Sequence, residues 1–127
     1  MTRRSPGILV ADDDDETRRM VVRFLAEAGY VASEAANGRE ALAAVLTGEF
    51  DLVIADVYLP EMDGIELIIR ITQTPTPPPV IVMSGGGDAD QRTVLDVAAR
   101  LGSTSTLSKP FTREDLLAAV RAELRIE

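Results

Sequence analysis

The stretch Asp51-Leu-Val-Ile-Ala-Asp-Val-Tyr-Leu-Pro-Glu-Met-Asp-Gly64 decides the fold. Residues 52–55 are an unbroken apolar run, the length of a strand rather than of a helix. A strand with no polar side is buried on both faces, as strands of a parallel sheet are. Asp56 follows the run at once, a carboxylate at the strand's carboxyl end. A helix is expected next over 63–72, with Ile65, Ile68 and Ile69 on one side.

The same unit recurs in both directions along the chain. Upstream, 8–11 (Ile-Leu-Val-Ala) reads as a strand and 15–28 as a helix whose apolar positions are Met20, Val21, Phe24, Leu25 and Ala28. Gly29 stops that helix in the left-handed position. Residues 31–35 read as a strand, and Asn37-Gly-Arg-Glu40 as a capping-box pattern opening a helix to Thr47, which Gly48 ends. Downstream, 80–83 is a strand, 88–101 a helix closed by Gly102, 105–107 a weak strand, and Thr112 opens a last helix with Leu116, Leu117, Val120 and Leu124 inward. The segment Thr74-Pro-Thr-Pro-Pro-Pro79 is a stiff connector. The alternation predicts a single-domain (βα)5 α/β fold, a doubly wound parallel sheet covered on both faces; with the flavodoxin-like strand order 2-1-3-4-5, the first and third strands are neighbours astride the switch point.

Composition agrees with one folded unit over 1–127, its core about 8–124. The chain has 127 residues, 46% hydrophobic and 27% charged. Its longest apolar run, 41–46, has six residues, against the roughly 20 that span a bilayer, so no membrane segment is expected. The opening Met-Thr-Arg-Arg-Ser-Pro-Gly is followed by too few apolar residues for a secretory signal, which makes the cytoplasm the expected compartment. A net charge of −8 repels phosphate backbones, so direct nucleic-acid binding is not expected. There is no Cys and no His. Thiolate chemistry and imidazole bases are excluded, and any metal must be held by oxygen.

The polar residues collect at one end of the predicted strands. Asp12 and Asp13 follow the first, Asp56 the third, Ser84 the fourth, and Lys109-Pro110 the weak fifth. Ligands of open parallel sheets bind outside the carboxyl ends, where the strand order reverses. Each feature alone has an ordinary explanation. The five acids 12–16 favour a helix N-terminus; Asp56 can form a turn, Lys109 can be a surface lysine, and Ser84-Gly-Gly-Gly87 can be a loop without phosphate-cradle spacing. Their coincidence at four strand ends points to one site. Three converging carboxylates repel unless a cation sits among them, and Mg2+ is the hard, oxygen-seeking ion that keeps positions open for water and phosphate. An Asp beside such an ion and a Lys can attack phosphorus to form an aspartyl phosphate, with the Ser84 hydroxyl donating to a phosphoryl oxygen.

From about Ile8 to Leu124 the chain resembles the receiver domain of bacterial two-component response regulators. Four motifs in order carry the resemblance: Ile8-Leu-Val-Ala-Asp-Asp-Asp14, Asp51 to Gly64 as quoted above, Pro79-Val-Ile-Val-Met-Ser-Gly85, and Leu107-Ser-Lys-Pro-Phe111. The resemblance implies that Asp56 is the phosphoacceptor. It implies that Asp13, Asp56 and the Tyr58 carbonyl bind Mg2+ directly, with Asp12 acting through water. Ser84 is then the switch hydroxyl, Lys109 the phosphoryl-binding cation, and Pro110 the residue of a cis bond. Thr106 stands where the family often carries an aromatic switch residue, and Tyr58 stands where a side chain can shield the phosphoryl group from water. The implied donor is a histidine kinase or a histidine phosphotransfer protein. The implied reader is a downstream protein or an output domain outside this chain, acting on the surface of the 88–101 helix, the last strand and the last helix. Such a module is a phosphorelay signalling domain rather than an enzyme: it catalyses its own phosphorylation and loses the group slowly.

Two other functions compete. A Mg2+-dependent aspartyl-nucleophile phosphatase favours a second Asp two residues after the nucleophile, where this chain has Tyr58. A phosphorylation-independent docking module of the same fold usually loses part of the acidic pair, the Asp or the Lys, all of which are present here. A flavin-binding relative of the fold is disfavoured, because the acidic strand ends repel the flavin phosphate.

Overall fold

The computed structural model describes residues 6–85 and 105–124. In chain order its elements are β1 (Gly7–Ala11), α1 (Asp15–Glu27), β2 (Val31–Ala35), α2 (Gly38–Thr47), β3 (Leu52–Asp56), α3 (Gly64–Thr72), β4 (Val80–Ser84), β5 (Ser105–Ser108) and α4 (Arg113–Glu123). The helix expected at 88–101, with Gly86, Gly87, Gly102 and Ser103, lies outside the described residues.

All five strands are parallel, in the order β2-β1-β3-β4-β5. From β1 the chain goes outward to β2, then returns to place β3 on the other side of β1. The order therefore reverses between β1 and β3, as expected of a doubly wound sheet. Register aligns the ends of these strands. Ala11 pairs with Ala55, Asp56 with Met83 and Ser84 with Ser108, so the residues that follow them emerge along one edge.

The strands alternate their side chains between two buried layers. Ile8, Val10, Leu52, Ile54, Ile81 and Met83 pack with Val21 and Leu25 of α1 and Leu116, Leu117 and Val120 of α4. Leu9, Ala11, Val53, Ala55, Val80 and Val82 pack with Ala41 of α2 and Leu67, Ile68 and Ile71 of α3. Both faces of β1, β3 and β4 are dry, which is why these strands read as continuous apolar runs. β2 is an edge, and Val31, Ser33 and Glu34 on it are exposed.

Each of the described helices begins on a side-chain cap. Asp14, Asn37, Asp63 and Thr112 accept the amide of the residue three further on. Thr112 and Asp115 close a full capping box. Asn37 and Glu40 do so incompletely, since Glu40 Oε1 takes the amide of Ala36 instead. Gly29 sits at φ +94° after α1, the left-handed stop that the sequence indicated.

Two expected faces are corrected. Ile69 points outward and is 36% exposed, while Leu67 and Ile71 join Ile68 in the core; the 3.6-residue period puts 64, 67, 68 and 71 on one stripe. Ala28 is exposed beyond the end of α1, and the third buried residue of that helix is Arg18. Among the described residues no helix is long and apolar enough to cross a membrane.

Candidate functional site

The carboxyl edge of β1, β3 and β4 carries three buried polar residues. Asp12 and Ser84 are 0% exposed and Asp56 is 6% exposed. Asp12 leaves β1 with its amide bonded to the Ala35 carbonyl at 3.1 Å. Asp56 is the last residue of β3 rather than the first after it. Ser84 likewise ends β4, and its carbonyl accepts the Lys109 amide at 2.8 Å. That bond ties the chain after β5 to the end of β4. The Lys109–Pro110 peptide bond is cis.

Lys109 unites the site. Its Nζ lies 2.9 Å from Asp12 Oδ2 and 2.5 Å from Asp56 Oδ2. The other oxygen of each carboxylate accepts a local amide, Asp14 N to Asp12 Oδ1 at 2.9 Å and Tyr58 N to Asp56 Oδ1 at 2.8 Å. Both acids are thus aimed by their own loops and share one cation. Burial pushes the Asp56 carboxyl above the ordinary aspartate value, opposed by the Lys109 and Tyr58 hydrogen bonds and assisted by the negative charge of Asp12. Burial also works against the Lys109 ammonium, but the hydrogen bonds and charges of Asp56 and Asp12 together hold its pKa above that of an ordinary lysine. Two buried carboxylates on one ammonium leave the pocket one negative charge in excess.

A tight backbone approach holds Asp56 in place. A Cβ on Gly64 would lie 2.6 Å from the Asp56 carbonyl oxygen and 2.7 Å from Val57 Cα. Only glycine lets α3 start this close to the end of β3. The Gly64 amide donates to the Val57 carbonyl at 2.8 Å, and the Val57 amide to the Met83 carbonyl at 2.9 Å.

The side chains of Asp12, Asp56 and Lys109 therefore meet, Ser84 joins them through its carbonyl bond to the Lys109 amide, and the remaining expected residues lie around them. Asp13 is exposed on the loop after β1. Three carboxylates were expected to converge, but two share Lys109, and among the described residues no group of three or more acidic side chains is gathered closely enough to hold a metal. The Tyr58 side chain is 57% exposed beside the site. Thr106 is exposed within β5, paired in register with Val82. The donor chemistry nevertheless suits Mg2+, which binds through one or two carboxylates and keeps several waters. The excess negative charge and two carboxylates in mutual reach are what such an ion needs.

Arg18 escaped the sequence reading. It is buried on α1, with Nη1 bonded to the Asp12 carbonyl, Nε to Glu34 and Nη2 to Asp15. The available signal was its spacing, three before Val21 and seven before Leu25, which places a charge on an apolar stripe. A cavity of about 350 Å3 lies at the opposite end of the sheet, lined by Leu46, Phe50, Asp51 and Pro75 among others, and includes none of the site residues.

Comparison with known proteins agrees with this geometry. The family model for the response regulator receiver domain matches residues 8–121. The transcriptional regulatory protein HprR of Escherichia coli is 38% identical over 119 residues, covering 93% of this chain and 51% of HprR. Response regulator MprA of Mycolicibacterium vanbaalenii is 37% identical, covering 93% of this chain and 50% of its own length. The chain thus spans about half the length of these curated relatives. The chemotaxis response regulator CheY4 of Vibrio cholerae superposes with a TM-score of 0.84 at 31% identity, covering 94% of this chain and 99% of CheY4. A two-component response regulator from Clostridium difficile superposes at 0.85 and 30% identity, covering 95% and 97%. With the acidic strand ends, the shared lysine and these matches in hand, the chain is assigned to the response regulator receiver domain family.

Proposed function

We propose that this receiver, taken as one domain over 1–127, accepts a phosphoryl group on Asp56 and passes the change to a partner. The observation that carries the reading is the Lys109 ammonium held between Asp12 and Asp56. It places a cation against the carboxylate that would react, where phosphoryl oxygens would need one. The donor is a phosphohistidine of a histidine kinase or phosphotransfer protein. A carboxylate oxygen of Asp56 forms the new bond to phosphorus, and the phosphorus–nitrogen bond of the donor breaks. The electron pair stays on the imidazole nitrogen.

Asp56, the Tyr58 carbonyl and, once its exposed side chain turns inward, Asp13 would hold Mg2+ directly, with Asp12 acting through water; the ion when bound would neutralise carboxylate and phosphoryl charge. Lys109 then turns from sharing two carboxylates to meeting the phosphoryl oxygens. Ser84, at the end of β4, supplies a hydroxyl donor and draws its loop toward the modified Asp56. Thr106 in β5 occupies the neighbouring switch position without a ring. Tyr58 covers one approach for water and slows loss of the group. The reader of the change is a downstream protein or an attached output domain, and the setting is the cytoplasm.

The test is intact mass after incubation with acetyl phosphate, with Mg2+ and with chelator, for wild type and Asp56→Asn. A phosphate-sized gain that requires both Asp56 and the metal is expected. Equal labelling of Asp56→Asn overturns the assignment.

A further inference from the structure

A buried arginine on an otherwise apolar helix stripe needs a reason. Val21 and Leu25 cover the same face of α1, and a hydrophobic side chain at position 18 would pack there without desolvating a charge. Arg18 is instead 9% exposed, with a hydrogen bond from each of its three guanidinium nitrogens. Nη1 donates to the Asp12 carbonyl at 2.8 Å, Nε to Glu34 Oε1 at 2.8 Å and Nη2 to Asp15 Oδ1 at 2.7 Å. Packing of α1 does not require the first of these bonds. It reaches the main chain at the point where β1 hands over to the acidic loop.

The geometry closes a loop around Asp12. The Asp12 amide bonds Ala35 of β2 at 3.1 Å. Its carbonyl bonds Arg18, and Arg18 bonds Glu34, the residue next to Ala35. Both main-chain groups of Asp12 are thereby tied to the end of β2, one directly and one through the guanidinium. The side chain between them is left to face Lys109.

We propose that Arg18 is a positioning residue of the site: braced on Glu34, it fixes the Asp12 main chain so that the carboxylate stands where a divalent ion is to be held. The inference rests on the phosphoacceptor reading above. Arg18 touches neither the phosphoryl group nor the ion. Its effect is on how often Asp12 is correctly placed, so it acts on metal affinity before any chemistry.

The experiment uses the full chain and Mg2+ alone, followed through the amide resonances of Asp14 and Tyr58, whose N–H groups bond the two carboxylates. Wild type, Arg18→Met, Glu34→Ala and Arg70→Met are titrated; Arg70 pairs with Glu66 on the far surface of α3 and serves as control. Arg18→Met should weaken Mg2+ binding about tenfold, as loss of an outer support of a metal ligand does. Glu34→Ala, at an exposed position that tolerates truncation, should weaken it about threefold. Arg70→Met should match wild type. In metal-free protein the Asp14 amide should exchange faster in Arg18→Met, which a purely structural role of Arg18 would not single out. Wild-type affinity in both Arg18→Met and Glu34→Ala overturns the proposal; if Arg18→Met does not fold, wild-type affinity in Glu34→Ala overturns it alone. A wild-type protein that neither binds Mg2+ nor gains phosphate removes the phosphoacceptor reading itself, and that arm is read first.

Discussion

Lys109 Nζ stands 2.5 Å from Asp56 Oδ2 across 53 positions of sequence. Two strand ends meet through that contact, and its chemistry is asymmetric. Asp56 has the Tyr58 amide as a second donor, whereas Lys109 has Asp12 as a second acceptor. Removing the lysine therefore leaves two buried carboxylates facing each other without a shared cation. Lys109→Met should raise the Asp56 pKa further, read by carboxyl-carbon NMR, because an opposite charge is lost and the repulsion from Asp12 stays. Phosphate uptake from acetyl phosphate should fall on the order of 100-fold, the scale for losing one preorganised donor to a developing oxyanion. Lys109→Arg should not restore it, since a planar guanidinium cannot replace a point charge between two oxygens.

Gly64 approaches the backbone at the Asp56 strand end too closely for a Cβ, and its replacement is a geometric test. Any Cβ there meets backbone atoms of Asp56 and Val57, which cannot move aside as a side-chain tip would. Gly64→Ala should destabilise by about 1–3 kcal/mol, the range for overpacking a close contact. It should also slow phosphate uptake. Gly29→Ala should lose stability from its left-handed backbone, yet leave uptake unchanged. Denaturant melts and labelling rates on the two variants separate these outcomes.

What could be read without coordinates follows from periodicity. Strands buried on both faces announce themselves as apolar runs, so β1, β3 and β4 and the polar residues at their carboxyl ends were legible. β2 was legible only from its neighbours' turns, because an edge strand such as Val31-Ala-Ser-Glu-Ala35 needs no apolar pattern. The outward turn of Ile69 was missed because α3 offers two stripes at the same helical spacing, 65/68/69 and 64/67/68/71, and periodicity alone does not choose between them; the close approach of Gly64 to the end of β3 goes with the second. The pairing of Asp12 with Lys109, 97 positions apart, follows only from strand order and register. Arg18 was hidden because charge on α1 reads as solvated surface until the helix rotation is known.

The last helix offers a check on local energetics at its own N-terminus. Thr112 Oγ1 accepts the Asp115 amide at 3.0 Å, and Asp115 Oδ2 accepts the Thr112 amide at 3.1 Å. Thr112→Ala removes one of these bonds and leaves a helix N-terminal amide to water. The expected loss is about 1 kcal/mol, measured by urea unfolding with an unchanged m-value. Ser at this position should recover most of it.

Asp56 itself should cost the metal-free protein stability near neutral pH. Its folded pKa is raised above the value of 3.8 that an unfolded aspartate has. Between those two values the native state binds more protons than the unfolded chain, so stability falls as pH rises through that window. Above it, the full penalty of a desolvated carboxylate beside Asp12 is present. Asn cannot ionise and escapes the penalty, while Lys109 keeps its bond to Asp12. Metal-free Asp56→Asn should therefore be more stable than wild type near neutral pH. The difference should shrink as pH falls through the raised value toward 3.8 and close below it. Thermal melts over a pH series in chelated buffer measure it. A gap that widens on acidification would show instead that Lys109 stabilises the Asp56 carboxylate by more than burial costs it.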